Sequence, residues 1–319
     1  MRRRTLLRAG LAAALAAHAR ADGAATARDE GFAFALIGDL PYSGTDETLL
    51  DAVLAQQAEE PLAFVLHVGD IKAAREPCTD ALLARRRELL ARSAHPLLLL
   101  PGDNEWVDCG RAPSGGRDPL ERLDALRTLM WSTPEPLGRD AARAGAALHL
   151  ERQPGLPENI RWRIGSVCCI GLHVVGSANG RDAVAGDRSA FEERERGNRR
   201  WLLETLEHAL DERAEALLIA AHAPPAFDGQ PGAGHRGFLQ DLRTVAATFM
   251  RPVLFVHGDG HRFRVDRPLT DADGRAVRHF TRVECFGWPF TSNWVRIAYD
   301  PSLPERFHVG VRELRAPGT

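Results

Sequence analysis

Phe32-Ala33-Phe34-Ala35-Leu36-Ile37-Gly38-Asp39 is a six-residue apolar run that stops on a glycine and an aspartate. An unbroken apolar run of this length, closed by a turn signal, reads as a strand buried on both faces, the kind that populates parallel sheets. The pattern recurs twice. Residues 62–68 lead into Gly69-Asp70, and residues 96–100 lead into Gly102-Asp103. Between these runs, residues 45–58 and 79–91 repeat apolar side chains at helical spacing, with Leu49 and Val53 on one face and Leu82, Leu89 and Leu90 on the other. Strand and helix in alternation predict an α/β fold.

The second half carries more strands. Residues 162–164, 167–175, 217–221, 252–256, 263–266, 279–285, 295–299 and 307–311 all read as β, and residues 191–210 place Trp201, Leu202, Leu206 and Leu210 at helix spacing. A further helix is expected over 119–130, after a Gly/Pro/Ser-rich surface loop at 111–117. Two βα halves with a strand-rich end predict a four-layer α-β-β-α sandwich, two packed mixed sheets flanked by helices. One domain is expected over residues 32–315. No internal repeat or low-complexity tract interrupts it.

A chain of 319 residues with 44% hydrophobic content is long and apolar enough to bury a full core. Its formal charge of −2 is close to balanced and its basic residues are spread along the chain, so it lacks the basic stripe of a nucleic-acid binder, and no nucleic acid is expected as a partner. Nearly all the positive charge is arginine. Lys72 is the single lysine.

The N-terminus reads as a targeting segment. Arg2-Arg3-Arg4 leads into Thr5-Leu6-Leu7 and a short Ala/Leu run, and Ala19-Arg20-Ala21 supplies a small-x-small cleavage site. The paired arginines also resemble a twin-arginine signal, a route for proteins already folded. Residues 1–21 are therefore expected to be a signal peptide and residues 22–31 a linker, with the mature chain periplasmic or secreted and without a membrane anchor. Its loss removes five arginines and no acid, leaving a charge of about −7.

Five cysteines in an exported chain invite pairing. Cys78 and Cys109 both occupy polar, loop-like surroundings a few residues beyond Asp70 and Asp103, and a bridge between them is expected. Cys168, Cys169 and Cys285 sit inside strand-like runs and read as small buried hydrophobes.

Open α/β sheets bind ligands beyond the carboxyl ends of their strands. Five strands here end in Asp or His: Gly38-Asp39, Gly69-Asp70, Gly102-Asp103-Asn104-Glu105, Ala221-His222 and His257-Gly258-Asp259-Gly260-His261. Carboxylates gathered at one end of a sheet repel each other unless cations neutralise them, which makes a metal cluster the simplest reconciliation.

The order Asp, Gly-Asp, Gly-Asn-His-Glu, His, Gly-His-x-His is that of the calcineurin-like metallophosphoesterases, purple acid phosphatases included, and the chain resembles it over nearly all of residues 32–315. The resemblance implies two divalent or mixed-valence metal ions, drawn from Mn, Fe, Mg, Ca or Zn. Asp39, Asp70 and His261 would hold the first, and Asp70, Asp103, His222 and Asp259 the second. It further implies attack of a metal-bound hydroxide on the phosphorus of a small-molecule phosphate mono- or diester.

The motifs depart from that pattern in four places. Pro41 stands where the family has a histidine, with Tyr42 next in line to replace it. Asp103 stands for Asn, Asn104 for His, and Asp259 for His. Exchanging nitrogen for anionic oxygen shifts preference from zinc toward harder ions. Asn104 and His257 are the candidates for a catalytic role, Asn104 as a donor to a phosphoryl oxygen and His257 as a proton source or a support for its loop. Tyr42, Lys72 and Glu105 are further candidates for metal or substrate contact. Two other readings use the same residues: a catalytically degenerate metal- or phosphate-binding protein, and a secreted interaction module whose aspartates only cap helices.

Overall fold

The computed structural model describes residues 31–315, so the expected signal peptide and most of the linker lie outside the described residues. Twelve strands form two sheets. The first five-stranded sheet holds β1 (Phe32–Ile37), β2 (Phe64–His67), β3 (Leu97–Leu99), β11 (Asn293–Tyr299) and β12 (Phe307–Glu313), in the order β12-β11-β1-β2-β3. The second, seven-stranded, holds β4 (Glu151–Gln153), β5 (Leu156–Ile164), β6 (Val167–Leu172), β7 (Ala216–Ala221), β8 (Val253–His257), β9 (Arg264–Asp266) and β10 (Phe280–Glu284), in the order β4-β5-β6-β7-β8-β10-β9. Strands β1, β2 and β3 are parallel to one another, as are β6, β7, β8 and β10. The antiparallel strands lie at the outer positions of each sheet.

Strand alternation sorts the side chains into layers. Phe34, Leu36, Phe64 and Leu66 point inward from one sheet and meet Ala216, Leu218, Ala220, Leu254 and Val256 from the other, forming the core between sheets. The alternate residues Ala33, Ala35, Ile37 and Val65 face outward, against α1 (Gly44–Gln57), α2 (Asp80–Leu90) and α3 (Pro119–Met130). On the far side, Leu217, Ile219, Val253 and Phe255 pack under α6 (Ser189–Asp211) and α7 (Arg236–Phe249). The result is the expected α-β-β-α sandwich of two mixed sheets. Local capping agrees with it: Ser43 accepts from Asp46 N at the start of α1, Thr79 from Leu82 N at α2, and Asp118 from Leu120 N at α3 ahead of Pro119.

Several elements differ from the sequence reading. Helix α7 is an element beyond that reading; its Phe238, Leu239, Leu242, Val245, Ala246 and Phe249 carry a helical period and are all buried. The short α4 (Ala141–Ala147), rich in alanine, has only one buried residue, Gly145, and so offers no apolar stripe to read. Strand β5 begins six residues earlier than its apolar end suggests, because Glu158 and Asn159 are buried within it as hydrogen-bonded polar groups. Strand β6 stops at Leu172, and the chain then enters α5 (Gly176–Asn179), a single left-handed turn. The loop at 111–117 contains a 3-10 turn, Ala112–Ser114, with Ser114 buried. Cys78 and Cys109 are bridged, with Cα atoms 5.6 Å apart, and both are buried; Cys168, Cys169 and Cys285 are free and buried. No helix among the described residues is long and apolar enough to cross a membrane.

Candidate metal centre

Asp39 follows β1, Asp70 follows β2, Asp103 follows β3, His222 follows β7, and Asp259 and His261 follow β8. Each is thus delivered by the carboxyl end of a parallel strand, and the packed sheets bring these ends together. Four of the six have left-handed backbones: φ is 56° at Asp39, 60° at Asp70, 68° at Asp259 and 58° at His261. Non-glycine residues pay a conformational penalty there, and such strain persists only where surrounding structure over-determines it. The turns also need glycine for space. A Cβ on Gly102 would lie 2.0 Å from Asp70 Oδ1, and one on Gly176 would lie 2.2 Å from Asp259 Oδ1 and 2.7 Å from Asp103 Oδ1.

His222 is the centre of the group. Its Nδ1 lies 2.8 Å from the Val68 carbonyl oxygen, to which the Nδ1–H donates. Nε2 then faces Asp103 Oδ1 at 3.2 Å, Asp70 Oδ1 at 3.4 Å and Asp259 Oδ1 at 3.4 Å, with none aligned as a hydrogen bond. Two overlapping sets of possible ligand atoms result, Asp39-Asp70-His222 and Asp103-His222-Asp259, each with all atoms within 4.8 Å of one another. His261 joins from the side: its Nδ1 is 2.7 Å from the Trp288 carbonyl oxygen and its Nε2 is 3.3 Å from Asp39 Oδ1. Backbone N–H of Asp259 donates to both Asp39 carboxylate oxygens, which ties the ends of β1 and β8.

Tyr42 points into the cluster. Its hydroxyl donates to Asp70 Oδ2 over 2.9 Å and lies 3.3 Å from His261 Nε2. Asn104 sits against the same carboxylate, its Nδ2 2.5 Å from Asp70 Oδ2 and its backbone N–H donating to Asp70 Oδ1, so the amide is committed to Asp70. Three candidates lie elsewhere. Lys72 is fully buried and its Nζ donates to the carbonyls of Ala73 and Asn104, which removes it from any role as an exposed point charge. Glu105 is buried as well, with Oε1 accepting from the backbone N–H groups of Ile71 and Gly102. His257 is buried behind its own loop, Nδ1 against Gly258 O and the ring stacked on Phe255. Burial pushes its pKa down to about 3, so this neutral imidazole lacks both the access and the proton of a general acid.

Electrostatics follow from the crowding. Burial raises the Asp70 pKa well above the usual range, and the charges of Asp103, Glu105 and Asp39 add to it while His222 counteracts. Burial opposes protonation of His222, yet the carboxylates of Asp70, Asp103 and Asp259 hold its pKa well above the ordinary imidazole value. His261 is raised chiefly through Asp39, and the phenol of Tyr42 is raised by burial and by Asp70 and Asp39. The imidazolium proton on His222 therefore supplies charge that a cation would supply in its place.

The donor set fits hard cations. A buried ring nitrogen with a fixed tautomer faces three carboxylates, a second histidine stands 3.3 Å from a fourth, and glycines stand where a Cβ would collide with those carboxylates.

Two side chains of this region carried no signal in the motif order. Ser177 Oγ lies 2.6 Å from Asp103 Oδ2 and 2.9 Å from Asp108 Oδ1, and Arg111 Nη2 donates to Ser177 Oγ over 3.1 Å. The cue available was the turn-rich stretch Gly176-Ser177-Ala178-Asn179-Gly180, which ends a strand as the recognised motifs do.

The two-sheet α-β-β-α architecture is similar to that of solved structures. A dimetal phosphatase from Danio rerio superposes on the chain with a TM-score of 0.55 at 14% identity, covering 89% of this chain and 96% of that one. A 5'-nucleotidase from Candida albicans matches with a TM-score of 0.48 at 12% identity, covering 89% of this chain and 51% of that one. A purple acid phosphatase from yellow lupin seeds matches at 0.45 and 13%, covering 90% and 54%. No family model and no curated protein matches the chain by sequence.

Proposed function

We propose that the chain is an exported, metal-dependent phosphoesterase that hydrolyses phosphate mono- or diesters at the centre described above. The single observation that carries this reading is His222 Nε2, buried, fixed in tautomer by Val68 and surrounded by the carboxylates of Asp70, Asp103 and Asp259. When bound, two cations would acidify water and neutralise phosphoryl oxygens. Asp39, Asp70 and His261 are assigned to one ion, and Asp70, Asp103, His222 and Asp259 to the other.

The remaining residues orient these ligands. Tyr42 and Asn104 hold the Asp70 carboxylate from one side, and Trp288 and Val68 fix the two histidine rings through backbone carbonyls. Neither Asn104 nor His257 brings a proton to a leaving group, so esters with acidic leaving groups should react best. That same lack favours a second reading, a metal-binding protein on this scaffold without turnover.

Elemental analysis of protein purified from its host should find about two metal ions per chain. The Mn-supplemented protein should hydrolyse p-nitrophenyl phosphate or its bis-ester, and Asp70→Ala should lose both metal and activity. Bound metal with no turnover of either ester would favour the second reading, and no metal would reject both. The buried Cys78–Cys109 bridge supports export to an oxidising compartment. N-terminal sequencing should find mature protein beginning at Asp22, whereas an intact Met1 on cytoplasmic protein counts against export.

A further inference from the structure

Arg111 stands beside the centre without belonging to any of its motifs. Its guanidinium is anchored on one side only: Nη1 lies 2.7 Å from Asp108 Oδ2, and Nη2 donates to Ser177 Oγ over 3.1 Å. Ser177 Oγ is 2.6 Å from Asp103 Oδ2, so one hydroxyl separates the cation from an assigned metal ligand. Both anchors are rigid. Asp108 is buried, and Ser177 belongs to a turn with left-handed φ at Ser177, Ala178 and Asn179. That turn is clamped by the Asn179 side chain, which accepts from Val175 N and donates to Gly234 O, and by buried Arg194, which donates to Asn179 O. The Arg111 side chain is nevertheless 56% exposed. A guanidinium carries five N–H donors in a fixed fork, and these two anchors leave others for a ligand.

We propose that Arg111 is a substrate-binding residue that takes a non-bridging phosphoryl oxygen and makes the centre selective for phosphomonoesters over diesters. This rests on the phosphoesterase reading. A phosphomonoester has three unesterified oxygens and a diester two, so if cations held by the carboxylates took two of them, only a monoester would keep a third for Arg111. A monoester is also close to a dianion at neutral pH, whereas a diester carries one charge, and a fixed guanidinium gains more from the former. Ser177 and Asp108 act as positioning residues, holding the fork at the rim beside Asp103.

Binding tests this without turnover. Protein loaded with Mn is titrated calorimetrically with orthophosphate and with dimethyl phosphate, and the same is done with Arg111→Gln, which can keep the contact to Ser177 but lacks the charge. Wild type should prefer orthophosphate. The variant should bind orthophosphate about tenfold more weakly, lose less for dimethyl phosphate, and keep its Mn affinity and thermal midpoint. Arg111→Lys should recover part of the loss, because it restores charge without the fork. Unchanged orthophosphate affinity in Arg111→Gln, or an equal loss for both anions, overturns this inference and leaves the phosphoesterase reading intact. Wild type that takes up Mn but binds no orthophosphate overturns both.

Discussion

His222 Nδ1 donates to the Val68 carbonyl oxygen over 2.8 Å, and this bond turns the other ring nitrogen toward Asp103, Asp70 and Asp259. In the metal-free protein those carboxylates raise the His222 pKa well above its usual value, so the ring is protonated near neutral pH. A metal takes the neutral ring, and uptake must release that proton. Mn binding should therefore strengthen as pH rises, and titrations in buffers of different ionisation heat should report proton release. His222→Ala should weaken Mn binding by about a hundredfold or more. Full Mn affinity in that variant removes the histidine from the site.

The Cys78–Cys109 bridge closes a segment with a sequence separation of 31, which contains both Asp103 and Asn104. Chain entropy alone assigns such a loop about 3 to 4 kcal/mol of stabilisation. The double Cys78→Ser/Cys109→Ser variant should thus unfold roughly 10 °C lower in a thermal melt. A midpoint equal to the wild type's would show that the bridge constrains nothing in the unfolded chain.

Glu158 and His173 form a buried pair away from the metal ligands, with Glu158 Oε1 2.8 Å from His173 Nδ1 and also 2.7 Å from Arg127 Nη2. Burial opposes ionisation of Glu158, but His173 and Arg127 outweigh it and hold its pKa down at about 2; burial lowers His173 to about 4. The sign is the same for both groups. The unfolded chain binds protons that the folded chain refuses, from below the ordinary histidine value near pH 6.5 down to about 2, so stability falls across that window as pH falls. Glu158→Gln should cost about 3 kcal/mol at pH 7. The gap between variant and wild type, measured by denaturant unfolding, should narrow toward pH 3. A constant gap would mean that Glu158 contributes nothing to acid lability.

The strands and most helices were legible because their signals are local. The run from Phe32 to Asp39 announces both a buried strand and the aspartate that ends it, and Ser43, Thr79 and Asp118 mark helix starts within a few residues. Helix α7 carries an equally local signal, its apolar period from Phe238 to Phe249. The six proposed ligand positions are legible because five strand ends repeat one pattern in order. Tyr42 is legible as the residue next to Pro41, where the resembled motif has a histidine.

What the sequence could not convey is which of two chemically suitable atoms faces the cluster. Lys72 follows Asp70 by two residues and Glu105 follows Asp103 by two, yet both are drawn beneath the surface, where each holds a backbone group of the other's loop, Asn104 O and Ile71 N. Ser177 and Arg111, with ordinary neighbours in sequence, arrive beside Asp103.

The sequence by itself determined the layers of this protein, since apolar periodicity settles strand or helix from neighbours a few residues apart. It also determined where acids and imidazoles would end those strands. Only the tertiary structure decided their company: Asp259 N reaches the Asp39 carboxylate across 220 residues of chain, and Val68, just past β2 of the other sheet, sets the tautomer of His222. Contacts of that range depend on sheet register and on the packing of one sheet against another, which no local pattern encodes.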